Sequence, residues 1–201
     1  LLTPAKYWTP IDAATTGFGQ GAIAVTPLQL VAAVSAVANN GVWIQPHLIR
    51  RVYDPSNGVT EKWIEPNKRR VVAPEVAKLV SRLLAENIYE GTQIAGQIPG
   101  YRVAGKTGTA QKVTANGRGY MAGQTIASFV GFLPASNPQL TCIAVIDSPQ
   151  TDGRWGNTVA GPVFNAVGME AARYLNISPD YVVAPGDKGK KIQPVIAPSV
   201  K

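Results

Sequence analysis

The sequence predicts an α/β (α+β) domain in which an antiparallel sheet is covered by helices on both faces. Three strand-like runs, at residues 101–111, 126–133 and 140–147, are separated by turn-forming residues such as Asn116-Gly117 and Ser136-Asn137-Pro138. The second and third runs are apolar on both faces, so they need cover from both sides of the sheet. Helical patterns before and after the strands can supply that cover.

Three helices are predicted from capping residues and from apolar residues at helical spacing. The first begins after Thr26, because Thr26 and Gln29 form a capping-box pattern, and it ends before Gly41. Its body is apolar nearly all round, so we expect it to be buried on most sides. The second helix covers about 74–91 and the third about 158–176. Their expected inward faces consist of Val76, Leu79, Val80, Leu83 and Leu84, and of Val163, Phe164, Val167, Ala171, Tyr174 and Leu175.

The remaining segments are predicted to lie at the periphery. Short extended runs at 42–49 and 61–64 predict a hairpin, and the basic cluster Lys68-Arg69-Arg70 is interpreted as a solvated loop. From residue 178 onward, prolines and a Gly/Lys-rich stretch predict an extended tail. The expected division is therefore a domain at 1–177 and a tail at 178–201.

Composition limits the classes of function. With 201 residues, 45% hydrophobic and 15% charged, the chain suits one globular domain or a piece of a larger one. The net charge of +7 would suit an anionic partner, but the basic residues are scattered, so no nucleic-acid partner is expected. The apolar runs fall short of the roughly 20 residues of a membrane-spanning helix, so any anchor is expected outside this chain.

Single cysteine and histidine residues restrict the chemistry further. Cys142 lies in an apolar run and is interpreted as a small core residue rather than a nucleophile. His47 is the one histidine, which leaves little room for a zinc site. We expect neither a metal nor another cofactor. Lysine must therefore be considered for any polar chemistry.

Residues 100–107 match the phosphate-loop pattern of nucleotide hydrolases, and the apolar run ending at Asp147 resembles their second motif. A phosphate loop requires a buried strand before it and a helix after it. Residues 92–99 are polar and interrupted by Gly and Pro, and Gly108 disfavours a helix start after Lys106. Nucleotide hydrolysis is therefore kept as a minor alternative.

Read as a strand, residues 101–111 place Lys106 and Gly108 on one side and Thr107 and Thr109 on the other. A bulge or twist is then expected if these residues are to act together, and Gly108 permits one. An edge strand of this type offers a cation, two hydroxyls and unpaired amides to a carboxylate and a developing oxyanion. The alternative interpretation is that Lys106 only protects a sheet edge from aggregation, and this would be preferred if Lys-Thr-Gly were the only motif in the sequence.

Two further stretches show that the chain resembles class B penicillin-binding proteins, the monofunctional transpeptidases of the cell wall. Gly17-Phe18-Gly19-Gln20-Gly21, with the helix start at 25–30, looks like the glycine segment of that family. The order from Lys106-Thr107-Gly108-Thr109 through two strands to a closing helix is also similar. Within that family, the sequence around Pro134-Ala135-Ser136 resembles most that of the septal division enzymes. The resemblance implies a penicillin-binding transpeptidase and serine beta-lactamase-like fold, incomplete in this chain.

By the same resemblance, the reaction is a serine-mediated transfer of the acyl group of a peptidoglycan stem peptide, and beta-lactams acylate the same serine. Lys106 is implied to organise the charge and proton network, while the hydroxyls of Thr107 and Thr109 bind the carboxylate. The backbone N–H of Thr109 is implied to form one arm of the oxyanion hole, and Gly108 belongs to the same motif. The expected location is the extracytoplasmic face of the bacterial inner membrane, with cell-division proteins as further partners.

The nucleophile motifs of the family do not occur in these residues. None of the eight serines has Lys three places on or Asn two places on. We therefore expect the Ser-x-x-Lys and Ser-x-Asn motifs to lie upstream of Leu1, in a missing N-terminal half of the domain, and this chain alone to be inactive. A non-catalytic binding module of the cell-division machinery is the alternative.

Overall fold

The architecture is given by a computed structural model that describes residues 3–21, 23–90, 94–114, 119–150 and 153–181. The described helices are α1 (Pro10–Thr16), α2 (Pro27–Ala38), α3 (Pro74–Glu90), α4 (Gly156–Val159) and α5 (Gly161–Tyr174), with 3-10 turns at Ala5–Tyr7 and Ile94–Gly96. The described strands are β1 (Val42–Ile44), β2 (Arg51–Tyr53), β3 (Thr60–Trp63), β4 (Lys68–Arg70), β5 (Ala104–Val113), β6 (Tyr120–Leu133) and β7 (Leu140–Asp147).

The main sheet is antiparallel, as the sequence predicts, and its strands lie in the order β5-β6-β7. On one face of β6, Phe129 packs against Phe164 of α5, with ring centroids 4.6 Å apart. On the other face, Phe132 lies in a cluster with Ala85 of α3 and Val34 of α2. Both phenylalanines of β6 are fully buried. The prediction of a sheet covered by helices on both faces is therefore confirmed.

The boundaries of β5 and β6 differ from the predicted ones. β5 begins at Ala104 rather than at 101, because Ile98 bridges Tyr101 across a turn in which Gly100 has a φ of +88°. Tyr101 is instead held by its hydroxyl, which donates to the Ile177 carbonyl at 2.7 Å. β6 begins at Tyr120, earlier than the predicted 126.

Helix α2 begins and ends as predicted. The Thr26 hydroxyl accepts a hydrogen bond from the Gln29 N–H, and the Gln29 side chain accepts one from the Thr26 N–H. Gly41 follows with a φ of +83°, and a Cβ there would collide with the Val72 carbonyl. The prediction that this helix is buried on most sides is wrong. Only Ala32 and Ala36 of α2 are buried, because just one side of the helix packs on the sheet.

The predicted inward faces of α3 and α5 are also largely wrong. Val76, Leu79 and Leu83 are exposed on α3, and the residues of α5 on the surface include Val163, Val167 and Tyr174, followed by Leu175. Each face that packs combines small residues with one large apolar residue: Ala77, Ala85 and Ile88 on α3, and Gly161, Phe164, Gly168 and Ala172 on α5. The small side chains let each helix approach the sheet closely, so that Ile88 and Phe164 are fully buried.

The peripheral strands pair differently from the predicted hairpin. β1 pairs with β4, and β2 pairs with β3, so two separate two-stranded sheets form. The basic cluster Lys68-Arg69-Arg70 is β4 rather than a loop, although its side chains are exposed as expected. The predicted pairing of 42–49 with 61–64 does not form, because the strand that begins at Val42 ends at Ile44, shortly before Pro46.

The first residues of the predicted tail are attached to the domain. The Asp180 carboxylate accepts hydrogen bonds from the Arg102 N–H and from the Ser136 hydroxyl, and the Asp180 N–H donates to the Gly100 carbonyl. The rest of the predicted tail, 182–201, lies outside the described residues. Over the part of the chain that the structure describes, no helix is both long and apolar enough to span a membrane.

Candidate functional site

The candidate site lies on β5, at one edge of the main sheet. Within the described residues, β5 pairs with β6 on one side and no strand covers its other side. Lys106 and Gly108 are paired with Val130 and Ser128, so the Lys106 side chain belongs to the face that carries Phe132. Thr107 and Thr109 alternate with them and belong to the opposite face. The predicted alternation is therefore correct.

The bulge expected at Gly108 is absent. The register runs without a shift from Ala104 opposite Phe132 to Gln111 opposite Thr125. Lys106 reaches the threonine side without a kink, because its long side chain bends around the open edge. Its Nζ atom lies 3.2 Å from the Thr107 carbonyl oxygen and 3.5 Å from the Thr107 hydroxyl.

The backbone of β5 presents two residues to the open edge. The Ser148 N–H donates to the Thr125 carbonyl, so Thr125 directs its peptide groups towards β7. Because peptide groups alternate sides along a strand, the other odd-numbered residues of β6 also face β7, and the even-numbered ones face β5. Gly108, opposite Ser128, is therefore bonded inward, and the N–H and C=O groups of Thr107 and Thr109 point away from β6. The contact between Lys106 and the Thr107 carbonyl agrees with this direction.

Helix α4 crosses β5 at Gly108 and fixes Thr109. A Cβ on Gly156 would lie 2.6 Å from the Gly108 carbonyl and collide with the Ser128 carbonyl, so only glycine fits at this crossing. The Gly156 N–H donates to the Thr109 hydroxyl at 3.1 Å. Because that hydroxyl accepts through its oxygen, its own proton stays available to a ligand. A Cβ on Gly108 would in turn meet the Ser128 hydroxyl at 2.6 Å.

The end of β5 is held by an ion pair. Lys112 Nζ lies 2.7 Å from an Asp147 oxygen and 3.2 Å from the Ser148 hydroxyl. Hydrogen bonds from Lys112 and Ser148 hold the pKa of the Asp147 carboxyl below its usual value. The sequence run that ends at Asp147 is similar to the second motif of nucleotide hydrolases. In the structure, the Asp147 carboxylate forms an ion pair with Lys112.

The geometry around Lys106 is not that of a phosphate loop. Lys106 lies within a strand that continues to Val113, and no helix follows it over the described residues 94–114. Backbone amides therefore do not converge on a phosphate at this position. The structure agrees with the argument from the flanking residues, and the minor alternative of nucleotide hydrolysis is contradicted.

Two other candidates lie apart from this edge. Cys142 of β7 is half-buried against the core, and burial raises the pKa of its thiol, which agrees with its interpretation as a core residue. His47 is exposed, with Nδ1 3.1 Å from the Gln45 carbonyl. Sequence reasoning missed Gly156 as the support of Thr109. A glycine next to the helix start at 156 is a weak signal, because only the crossing with β5 shows why it is required.

Comparisons with known proteins place the chain in a family. A model of the penicillin-binding protein transpeptidase domain matches residues 2–168. Stage V sporulation protein D of Bacillus subtilis (strain 168) is 38% identical over 180 residues, which are 89% of this chain and 27% of that protein. Peptidoglycan D,D-transpeptidase FtsI of Escherichia coli (strain K12) is 34% identical over 191 residues, which are 94% of this chain and 30% of that protein.

Solved structures of penicillin-binding proteins are also similar to this chain. Penicillin-binding protein 3 of Mycobacterium tuberculosis, complexed with ampicillin, matches with a TM-score of 0.78 and 29% sequence identity, over 93% of this chain and 42% of the solved chain. This chain therefore spans less than a third of the length of these two curated relatives and less than half of the solved chain. The family model matches residues 2–168, which are most of this chain. The chain belongs to the penicillin-binding protein transpeptidase domain family.

Proposed function

We propose that this chain carries the substrate-holding strand of a peptidoglycan D,D-transpeptidase of the septal division type. Its relatives include a protein named as a peptidoglycan D,D-transpeptidase and a solved structure with bound ampicillin. Since no serine here begins a Ser-x-x-Lys or Ser-x-Asn motif, the nucleophile and its base come from a segment that these 201 residues do not include. The chain at 1–177 then forms the C-terminal part of the transpeptidase domain.

The observation that carries the proposal is the open edge of β5. The backbone N–H of Thr109, the hydroxyls of Thr107 and Thr109, and the Lys106 ammonium all belong to residues of this one edge. A backbone donor held in a sheet cannot rotate away, so it is preorganised for a developing negative charge. Gly108 has no side chain, which lets a ligand backbone approach the strand closely.

The expected reaction is an acyl transfer in two steps. The serine hydroxyl loses its proton to a base, its oxygen attacks the carbonyl carbon of the penultimate D-alanine, and the carbonyl oxygen becomes an oxyanion. The Thr109 N–H donates to that oxyanion. The terminal D-alanine leaves as an amine after gaining a proton, and an amine of a neighbouring stem peptide then displaces the serine.

The side chains of the strand hold the other end of the substrate. The terminal carboxylate of the stem peptide, or the carboxylate of a beta-lactam, accepts hydrogen bonds from the Thr107 and Thr109 hydroxyls. Lys106 adds a positive charge to the same place and orders the proton network. The proposed location is the extracytoplasmic face of the bacterial inner membrane, with stem peptides as substrate and cell-division proteins as partners.

A reconstitution experiment tests the proposal. The chain is mixed with the segment encoded before Leu1 and treated with a fluorescent penicillin, and the label is expected on a serine of that segment. Lys106→Ala should reduce the labelling rate by about 10²-fold, the typical cost of losing one electrostatic partner of a transition state. Lys112→Ala is the matched control, because this lysine of the same strand is bound to Asp147 and should leave labelling nearly unchanged.

Three outcomes would contradict the proposal. Well-folded material that takes up no label would favour a non-catalytic binding module of the cell-division machinery. Equal decreases of the labelling rate in Lys106→Ala and Lys112→Ala would contradict the specific role of Lys106 in the site. A penicillin adduct on this chain alone, seen by intact-mass analysis, would show that one of its own serines is the nucleophile.

A further inference from the structure

The two-stranded sheet of β2 and β3 forms a hairpin, residues 51–63, at the periphery of the domain. Arg51 pairs with Trp63 and Val52 with Lys62, and neither strand packs extensively against another described element. The described side chains of both strands are exposed, and none of them belongs to the buried core. The hairpin therefore contributes surface to the molecule rather than core.

The turn of the hairpin is held by local hydrogen bonds. The Asp54 carboxylate accepts from the Ser56 N–H at 2.8 Å and from the Asn57 side-chain amide at 2.8 Å. The Asn57 side-chain oxygen accepts from the Val59 N–H at 2.7 Å, and Gly58 has a φ of +69°. Side chains of Asp and Asn that bond to the backbone just after them stabilise a turn. The turn therefore holds the two strands together, so the side chains on each face keep a defined arrangement.

One face of the hairpin combines aromatic rings with guanidinium groups. The Arg51 guanidinium lies 5.3 Å from the centre of the Tyr53 ring and 5.8 Å from that of the Trp63 ring. The Arg50 guanidinium lies 5.9 Å from the centre of the Trp63 ring. Both aromatic residues remain open to solvent, with 51% of Tyr53 and 53% of Trp63 exposed. We call these four residues the arginine–aromatic face.

This face suits a ligand that carries both carboxylates and sugar rings. A guanidinium presents its N–H groups in a planar fork that matches a carboxylate, and it can do so beside an aromatic ring. Exposed tryptophan and tyrosine rings offer flat apolar area to the apolar side of a sugar ring. The charge of the segment agrees with an anionic ligand. Residues 42–72 contain six Lys or Arg and three Asp or Glu, so this short segment supplies +3 of the net charge of +7.

The size of the face favours a polymer over a folded protein. A stable protein interface takes about 20–30 residues from each partner, far more than the four residues of this face. A long polymer that is already held at one site of a protein meets a second site at high effective concentration, so a weak second site is sufficient. Peptidoglycan is a polymer of this kind, because its strands repeat amino-sugar rings and carry stem peptides with free carboxylates.

We propose that the arginine–aromatic face is a second binding site for peptidoglycan, which holds a strand by its carboxylates and sugar rings away from the reacting peptide. The inference rests on the proposed function, because it takes peptidoglycan as the substrate of the β5 edge. The face keeps the polymer on the protein while stem peptides exchange at that edge. It therefore acts on retention of the polymer, and the groups that act on the acyl carbon remain those of β5.

Co-sedimentation of the chain with purified, insoluble peptidoglycan measures this binding. Arg50→Gln/Arg51→Gln should bind about tenfold more weakly than wild type, because each exposed arginine–carboxylate pair contributes up to about fivefold. The matched control is Arg82→Gln/Arg173→Gln, which removes the same charge from two exposed arginines of α3 and α5. This control should bind within about twofold of wild type, because charges remote from the bound polymer are screened by salt.

Two further arms test the chemistry of the ligand and the folding of the variants. Peptidoglycan whose carboxylates have been converted to amides should bind wild type about tenfold more weakly, and no more tightly than it binds Arg50→Gln/Arg51→Gln. Trp63→Ala should weaken binding to both polymers by about two- to fivefold, because it removes ring contact. Arg50→Lys/Arg51→Lys should keep part of the affinity, since the charge remains and the planar fork is lost. Melting temperatures show whether each variant is folded.

Several results would overturn the second site. These are equal binding by the hairpin variant and the α3/α5 control, and equal binding of wild type to native and amidated peptidoglycan. Sedimentation with phosphatidylglycerol vesicles and not with peptidoglycan would assign the face to a membrane surface. Failure of Arg50→Gln/Arg51→Gln to associate with the segment encoded before Leu1 would show that the face is an interface within the intact protein.

Penicillin labelling of the reconstituted protein separates this inference from the proposed function. Peptidoglycan binding that depends on Arg50 and Arg51, in a protein that takes up no penicillin, supports the second site and counts against the transpeptidase proposal. Labelling that depends on Lys106, in a protein whose peptidoglycan binding is the same in the hairpin variant and its control, supports the proposed function and overturns the second site. Neither labelling nor peptidoglycan binding overturns both.

Discussion

The buried cluster between β6 and α5 and the open edge of β5 differ in what their residues contribute. Phe129 and Phe164 are fully buried and pack ring against ring, so they stabilise the fold through area removed from water. Lys106 is exposed and belongs to β5, the strand at the end of the described three-stranded sheet. The comparison teaches that stability and the proposed activity depend on different residues of one sheet, and substitutions can separate them.

The largest expected effect on stability comes from the cluster. Phe164→Ala should lower the free energy of unfolding by about 3–5 kcal/mol, because it removes apolar contact and leaves a cavity against Phe129. Val163→Ala is the matched control, since Val163 of the same helix is 42% exposed and should change stability far less. Urea unfolding of both variants measures the difference. Equal losses would show that α5 does not pack through the Phe164 face.

The next effect tests the part-buried hydroxyl of Tyr89, on α3. The Tyr89 hydroxyl donates to the Tyr101 carbonyl at 2.9 Å and accepts from the Val103 N–H at 3.1 Å, and burial raises its pKa. Tyr89→Phe should cost about 1–3 kcal/mol, because the Val103 N–H loses its partner. Tyr174→Phe, at an 85% exposed tyrosine, should cost nearly nothing by the same thermal unfolding measurement.

Thr109 belongs to the edge but is tied to α4, so it should show a smaller loss. Thr109→Val leaves the Gly156 N–H without its acceptor and should reduce stability by about 1 kcal/mol. Thr109→Ser keeps the hydroxyl and should restore most of that loss. Chemical unfolding compares the two variants, and a serine variant as unstable as the valine variant would exclude this hydrogen bond as the cause.

Lys106→Ala should change stability less than the three substitutions above. The side chain is exposed and its described contacts are with Thr107 of its own edge, so the change should stay within about 0.5 kcal/mol. The same variant is expected to lose penicillin labelling in the reconstituted protein. A melting temperature that falls as far as that of Tyr89→Phe would contradict the separation between edge and core.

The smallest expected effect is the pH-dependent change in stability on substitution of Asp147. The pKa of Asp147 is lowered from its ordinary 3.8 by hydrogen bonds from Lys112 and Ser148, so its contribution is present above that value and is lost as pH falls through the lowered pKa. Asp147→Asn should therefore be slightly less stable than wild type at pH 7, and the difference should shrink at pH 2. Melting temperatures at both pH values test this, and a difference that grows in acid would reverse the assigned sign.

Part of this structure could be predicted without coordinates. The start of α2 follows from Thr26, Pro27 and Gln29, because capping depends on residues close in sequence. The existence of the three sheet strands and the motif at 106–109 also follow from local pattern. The face on which α5 packs could not be predicted, because Gly161, Gly168 and Ala172 are buried for lack of bulk while larger apolar neighbours remain outside.

The sequence by itself therefore determined which segments form the main helices and strands and which residues make up the Lys106–Thr109 motif. Both depend on neighbours within a few positions along the chain. Only the tertiary structure decided that the Thr109 amide faces the open edge, that Gly156 supports Thr109, and that Arg154 donates to the Gly123 carbonyl of β6. The last two features join residues that are 47 and 31 positions apart, and such contacts follow from strand register and helix crossing, which local pattern does not specify.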